Sequence, residues 1–220
     1  MSRIFTIEGN IGSGKSTLLE NLKDHYKYNP NVIFLQEPVD EWESIKDSEG
    51  TTMLQKFYQD QAKYSFPFQM MAYISRLALL KKCCEEHPNA TIITERSLYT
   101  DKYVFAKMLF DGGFIEDVNY QIYKRWFDTF ANEFPIHGII YVNTNYEICN
   151  ERIKLRSRTG ESNIPIEYLQ NCGKYHDDMM KVVVSKKEKM ELDGNIDIYT
   201  SPSIVTEWIQ DIHKYLDLSQ

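Results

Sequence analysis

Residues 9–16 read Gly9-Asn10-Ile11-Gly12-Ser13-Gly14-Lys15-Ser16, with Thr17 next. Gly-x-x-x-x-Gly-Lys-Ser is the spacing of a loop that wraps an oligophosphate. The glycines let the backbone turn its N–H groups inward on an anion, and the helix that follows offers its positive end. Lys15 then reaches the outer phosphates, and the Ser16 hydroxyl is a hard oxygen ligand for Mg²⁺. No Asn-Lys-x-Asp guanine-reading motif accompanies the loop, and Asp47-Ser48-Glu49-Gly50, which fits Asp-x-x-Gly, reads as a surface turn.

Further charged residues sit where strands should end. Glu37 follows an apolar run and is stiffened by Pro38. A carboxylate there can accept a proton from an attacking hydroxyl, or merely cap a helix. Glu95 and Arg96 follow another apolar run. Glu95 suits Mg²⁺, directly or through water, and Arg96 suits a transferring phosphate; an ordinary Glu–Arg pair is the plainer alternative. Arg152, Arg156 and Arg158 concentrate positive charge ahead of Gly160. That pattern fits a lid that closes over a triphosphate, or a solvated basic face.

The elements that must position these residues alternate. The runs Ile4–Ile7, Val32–Leu35, Thr91–Thr94, Ile139–Val142 and Ile196–Tyr199 are short and largely apolar, so they read as five buried strands. Helical periodicity appears near 15–27, 65–86, 101–110, 117–132, 145–157, 166–189 and 203–217. Strand–helix alternation predicts an α/β fold with a parallel sheet flanked by helices and ligands at the strands' carboxyl ends. Gln69, Ala72, Tyr73 and Arg76 recur at helical spacing, and Gln69 and Arg76 interrupt a mostly apolar helix.

The 220 residues suit one compact domain, 1–220, with a lid over approximately 152–164. A net charge of −7 argues against a nucleic acid polymer or an anionic membrane as partner. No apolar run is long enough to span a bilayer. Cys83, Cys84, Cys149 and Cys172 show no metal-ligand spacing, and a reduced, cytoplasmic protein is expected. A core strand is expected at Arg3–Glu8, which would leave no room in this chain for a signal or transit peptide.

Several motifs in order resemble the deoxynucleoside kinase family, in its deoxycytidine and deoxyguanosine kinase branch. They are residues 9–17, Glu-Pro-Val-Asp-Glu-Trp at 37–42, Tyr-Ser-Phe-Pro-Phe-Gln at 64–69, Glu-Arg-Ser-Leu-Tyr-Thr-Asp at 95–101, Arg-x-Arg-x-x-Glu at 156–161 and Ile-Pro-Ile-Glu-Tyr-Leu at 164–169. The resemblance covers nearly the whole chain and implies a P-loop kinase fold, a homodimer, and ATP with Mg²⁺ (or another nucleoside triphosphate) acting on a deoxynucleoside. It implies Glu37 as general base for the 5′-hydroxyl with Arg96 beside it, and Ser16 and Glu95 for Mg²⁺. It implies Tyr58 and Glu161 at the 3′-hydroxyl, Gln69 and Asp101 reading the base with Arg76 between them, and Trp42 and Phe105 flanking it. Arg152, Arg156 and Arg158 would belong to the lid.

The residue chemistry runs alongside. Gln69 can donate to and accept from a base edge, and an ionised Asp101 favours an exocyclic amino group. Arg76 held by Asp101 can instead donate to a purine N7 or O6. Thymine offers no amino group, and the thymidine-preferring branch lacks this Arg–Asp pair. The family's donor-base loop carries an aspartate after the last strand, whereas the stretch expected here reads Tyr199-Thr200-Ser201-Pro202. Two rival readings are a nucleoside monophosphate kinase and a nucleotide-binding module without turnover.

Overall fold

The computed structural model describes residues 2–156, 164–183 and 189–218. In chain order the strands are β1 (Arg3–Glu8), β2 (Val32–Leu35), β3 (Thr91–Glu95), β4 (Gly138–Asn143) and β5 (Lys189–Asp193). The helices are α1 (Lys15–His25), α2 (Val39–Ser44), α3 (Met53–Gln59), α4 (Gln61–Glu86), α5 (Leu98–Thr100), α6 (Lys107–Asp111), α7 (Asp117–Phe130), α8 (Tyr146–Arg156), α9 (Ile166–Val183) and α10 (Ser203–Leu218), with a π-helical stretch Asp101–Ala106 joining α5 to α6.

The strands form one parallel sheet in the order β2-β3-β1-β4-β5. The chain leaves β1 toward one side for β2 and β3, then returns to the other for β4 and β5. β1 is therefore the switch point, and the loop after it opens into the crevice where ligands of such sheets bind.

On one face, Phe5, Ile7, Ile93, Ile140 and Leu192 pack against Leu18, Leu19 and Leu22 of α1 and Ile212 and Leu216 of α10. On the other, Ile139 and Tyr141 meet Val104 and Met179. A third cluster lies off the sheet, where Phe57, Phe68, Tyr73, Tyr123 and Phe127 tie α3, α4 and α7 together. That cluster forms one wall of the site.

Three expectations change. The fifth strand is Lys189–Asp193, paired from Ile139↔Lys189 to Asn143↔Asp193, and not Ile196–Tyr199. As an edge strand it alternates Lys189, Glu191 and Asp193 with Met190 and Leu192, so it shows no continuous apolar run. Ile196–Tyr199 lies instead in a loop of aspartate turns, where Asp193 Oδ1 accepts from Asn195 N at 3.1 Å and Asp197 Oδ1 from Tyr199 N at 2.9 Å. The helix expected over 166–189 is described over Ile166–Val183, and Lys189 belongs to β5. The helix expected from 65 begins at Gln61, because Asp60 caps it through Lys63 N at 3.1 Å. Helices α2 and α3 were not foreseen. Yet Thr52 and Gln55 form a reciprocal capping box, a signal legible as Thr-x-x-Gln. The 47–50 segment is a turn, as expected, with Asp47 Oδ1 accepting from Glu49 N and Thr51 N at 2.9 Å each.

Candidate active site

The loop after β1 is built by glycines where other residues would fail. Gly12 has φ 78°, and a Cβ there would come within 2.6 Å of the Cys149 carbonyl of α8. Gly14 has φ 104° and opens α1 from the left-handed region. Gly9 and Asn10 sit behind the loop: a Cβ on Gly9 would meet Val142 O at 2.6 Å, and Asn10 Nδ2 donates to Leu169 O at 2.8 Å. Ile11 to Thr17 form the wall of a cavity of about 990 Å³ that runs from this loop to the α3–α4 cluster.

Lys15 is buried and donates to its own loop, to Asn10 O, at 2.6 Å. Burial and the nearby Arg96 charge lower its pKa to about 8. A polyphosphate would reverse that. Nucleotide affinity is therefore expected to be flat below about pH 8 and to fall above it, with proton uptake on binding in the alkaline range. Calorimetry in buffers of different ionisation enthalpy checks this; no uptake at about pH 9 would show that Lys15 does not meet the phosphates.

Ser16 Oγ donates to Glu95 Oε1 at 2.6 Å. These are two hard oxygens at the phosphate end of the cavity, a donor set that fits Mg²⁺ completing its shell with phosphate oxygens and water. No group of three or more His, Cys, Asp or Glu that could form an all-protein metal cage occurs among the described residues.

Glu37 and its partners Arg76 and Arg96 line the same cavity. Arg96 Nη1 donates to both Glu37 oxygens, at 3.1 and 2.9 Å, and Arg76 Nη2 donates to Oε1 at 3.0 Å. Burial pushes the Glu37 carboxyl up, but Arg96, Arg76 and Lys15 outweigh it and hold its pKa at about 2. Arg76 also reaches Asp101 Oδ2 through Nε at 2.9 Å and Glu95 O through Nη1 at 2.8 Å. Burial works against its charge, and the Asp101 and Glu37 carboxylates more than offset that. Burial dominates at Asp101, which is raised to about 6 despite Arg76. Asp101 is thus ionised at neutral pH but close to titrating.

Arg96 itself has φ 61°, the one left-handed residue other than glycine among the described residues. It is held there by Thr94 Oγ1 donating to its carbonyl at 2.7 Å and by its own N–H on Ile7 O at 3.0 Å. Its guanidinium lies 5.2 Å from the Phe105 ring centroid.

The far end of the cavity is apolar with few polar points. Trp42, Tyr58, Gln69, Arg76, Asp101 and Phe105 all line it. Trp42 is fixed by Nε1 donating to Ser75 Oγ at 2.8 Å and by an edge contact with Phe68. Gln69 is buried, and its Oε1 has no protein partner among the described residues. Such an orphaned acceptor suits a ligand donor.

At the opposite end, Arg152 donates to Ser13 O at 3.2 Å and Ile196 O at 3.4 Å, and Arg156 lines the cavity. Arg158, Glu161 and most of the expected lid lie outside the described residues. Sequence reasoning missed the loop Gly194–Tyr199, which borders this end with Asp197. With the last strand at Lys189–Asp193, Asp193 stands at the strand end and Asp197 shortly after it, ahead of Tyr199-Thr200-Ser201-Pro202.

A parallel sheet whose switch point carries a glycine-built phosphate loop, facing an arginine-clamped carboxylate, defines a P-loop phosphotransferase. The chain belongs to the deoxynucleoside kinase family, which it matches over residues 5–217, and it is an ATP-dependent phosphotransferase of that family. It is similar to a fowlpox virus (strain NVSL) protein named probable deoxycytidine kinase, 31% identical over 217 residues, covering 96% of this chain and 87% of that one. Deoxycytidine kinase 2 of Gallus gallus is 35% identical over 197 residues, 80% of this chain and 72% of that protein. Mitochondrial thymidine kinase 2 of Macaca fascicularis is 30% identical over 179 residues, 80% of this chain and 64% of that protein.

Proposed function

We propose that this deoxynucleoside kinase transfers the γ-phosphate of ATP in line to the 5′-hydroxyl of a 2′-deoxynucleoside and prefers amino-bearing bases to thymine. The observation that carries the reading is Glu37, clamped by Arg76 and Arg96 midway between the phosphate loop and the Gln69–Asp101 end. Glu37 accepts the proton of the attacking hydroxyl. Its low pKa keeps it ionised, and a loose transition state asks for little basicity until the bond to phosphorus is forming. Lys15 and the loop N–H groups hold the β- and γ-phosphates; Arg96 faces the transferring group, and Arg152 and Arg156, with Arg158, come from the lid side. Mg²⁺, held by Ser16 and Glu95, supplies neutralisation of phosphate charge when bound. Tyr58 and Glu161 hold the 3′-hydroxyl.

A nucleoside acceptor is favoured over a nucleoside monophosphate because the acceptor-side arginines are already paired. Arg76 is bound to Asp101 and Glu37, and Arg96 to Glu37. An added acceptor phosphate would face the Glu37 carboxylate.

Base preference follows from Gln69 and Asp101, with Trp42 and Phe105 flanking the ring. An ionised Asp101 accepts from the amino group of cytosine or adenine, and Arg76 can donate to guanine O6 or N7. In competition among the four deoxynucleosides, thymidine is expected to lose. Its deficit against deoxycytidine should shrink as pH falls through about 6, where Asp101 takes a proton. Equal turnover of thymidine and deoxycytidine at neutral pH would overturn the preference.

The working form is a homodimer. α7 exposes Val118, Ile122 and Trp126 along one face, and α4 adds Ile74. The two helices are neighbours, with Tyr73 Oη donating to Trp126 O at 3.2 Å. Such an apolar patch suits a two-fold contact. Trp126→Glu should convert the sedimenting species to monomer; an unchanged dimer would place the contact elsewhere. No helix among the described residues is long and apolar enough to cross a membrane, and four free cysteines, two of them adjacent, suit the reducing cytoplasm.

A further inference from the structure

The end of β1 grips the acceptor site in a way the phosphate loop does not require. Glu8, its last residue, is fully buried. Glu8 Oε2 accepts a hydrogen bond from Thr100 Oγ1, while Oε1 has no protein partner among the described residues. A buried carboxylate is costly and, directly before a phosphate loop, works against anion binding. Its placement calls for a role beyond that loop.

That role lies in the turn it holds. Thr100 is itself fully buried, and its N–H donates to Ser97 O at 3.1 Å and Ser97 Oγ at 3.3 Å. Arg96 immediately precedes Ser97, and Asp101 immediately follows Thr100. The same strand end accepts the Arg96 N–H on Ile7 O at 3.0 Å. The 96–101 turn is therefore clamped to β1 at both ends, by backbone at Arg96 and by side chain at Thr100. Left-handed φ at Arg96 is strained and persists only where its surroundings enforce it.

We infer that Glu8 is a positioning residue for the acceptor site: by holding the Thr100 hydroxyl it fixes the turn that carries Arg96 to the reacting hydroxyl and Asp101 to the base. The inference deepens the proposed function and rests on it for the meaning of those two contacts.

Thr100→Val removes the hydroxyl and keeps the shape. It is expected to lower kcat about tenfold and raise the acceptor KM about fivefold, leaving ATP affinity within about twofold, as loss of one charge-assisted hydrogen bond allows. Amide exchange over 96–106 should quicken, while exchange over 9–16 stays the same. Thr100→Ser restores the hydroxyl and should restore both readouts. Glu8→Gln, which keeps an acceptor but loses the charge, should fall between and carries the test if the valine variant does not fold.

Unchanged exchange over 96–106 would overturn the inference. So would faster exchange with unchanged kinetics, or a serine variant as impaired as valine. A wild-type protein that phosphorylated no deoxynucleoside would sink the acceptor reading, and the exchange data would still decide whether Glu8 pins the turn.

Discussion

Glu37→Gln should reduce kcat by a factor of about 10² to 10⁴, the range of a lost general base, while ATP affinity changes by no more than about threefold. Glutamine fills the same space and still accepts from Arg76 and Arg96, so the fold and the arginine clamp should survive. What is lost is the charge that receives the proton. The pH profile separates this role from others. The wild-type carboxyl titrates at about 2, so Glu37 contributes no loss of rate between neutral pH and about pH 4. The acid limb should instead follow Asp101, at about 6, and disappear in Asp101→Asn. Steady-state rates of the three proteins across pH check this. A loss of less than about tenfold in Glu37→Gln would remove the residue from the proton-accepting role.

Arg76→Ala should cost about 3–5 kcal/mol of folding stability, because it strands the buried Asp101 carboxylate. Arg76 and Asp101 side chains are 6% and 2% exposed, so solvent screens the pair little. The sign of the pH dependence follows from Asp101. Its folded pKa, about 6, lies above the ordinary 3.8, so its burial costs stability above 6 and the cost is relieved as pH falls toward 3.8. Without Arg76 the folded pKa rises further. The gap between variant and wild type is therefore larger at about pH 7.5 than at about pH 5.5. Glu37 acts in the opposite sense but lower down: its folded pKa of about 2 lies below the ordinary 4.5, so its contribution is complete above 4.5 and is lost only in stronger acid. Denaturant unfolding at the two pH values tests the account. A cost below about 1 kcal/mol, or the same gap at both, would show that Asp101 does not depend on Arg76.

The residues that were legible in the sequence are those whose chemistry is local. The phosphate loop is set by glycines that must adopt positive φ, and Lys15 and Ser16 follow it at fixed offsets. Glu95–Arg96 was legible because β3, a buried strand inside the parallel sheet, ends visibly, and Glu37 because β2, though at the sheet edge, is a continuous apolar run closed by Pro38. β5 failed the same test for a physical reason. Unlike β2 at the opposite edge, Lys189–Asp193 alternates charged with apolar residues, and the more apolar Ile196–Tyr199 competed for its place. That error carried the donor-side loop with it and hid Asp197.

Long-range pairings were hidden differently. The Arg76–Asp101 pair was expected, but nothing in the spacing shows Arg76 also reaching Glu37, so that one guanidinium joins the two carboxylates. Nor does the sequence show Arg96 at φ 61°, since arginine has no preference for that region. The Glu8–Thr100 bond spans residues 92 apart and became visible only when the sheet brought β1 beside the 96–101 turn.

The proposed acceptor oxygen is the 5′-hydroxyl of a deoxynucleoside delivered to Glu37. Release of ADP from ATP and Mg²⁺ should be measured with deoxycytidine, with 2′,5′-dideoxycytidine, with deoxycytidine monophosphate, and with no acceptor. Release is expected only with deoxycytidine, matched mole for mole by deoxycytidine 5′-monophosphate. Release with the monophosphate in place of the nucleoside, or at the same rate without any acceptor, would contradict it.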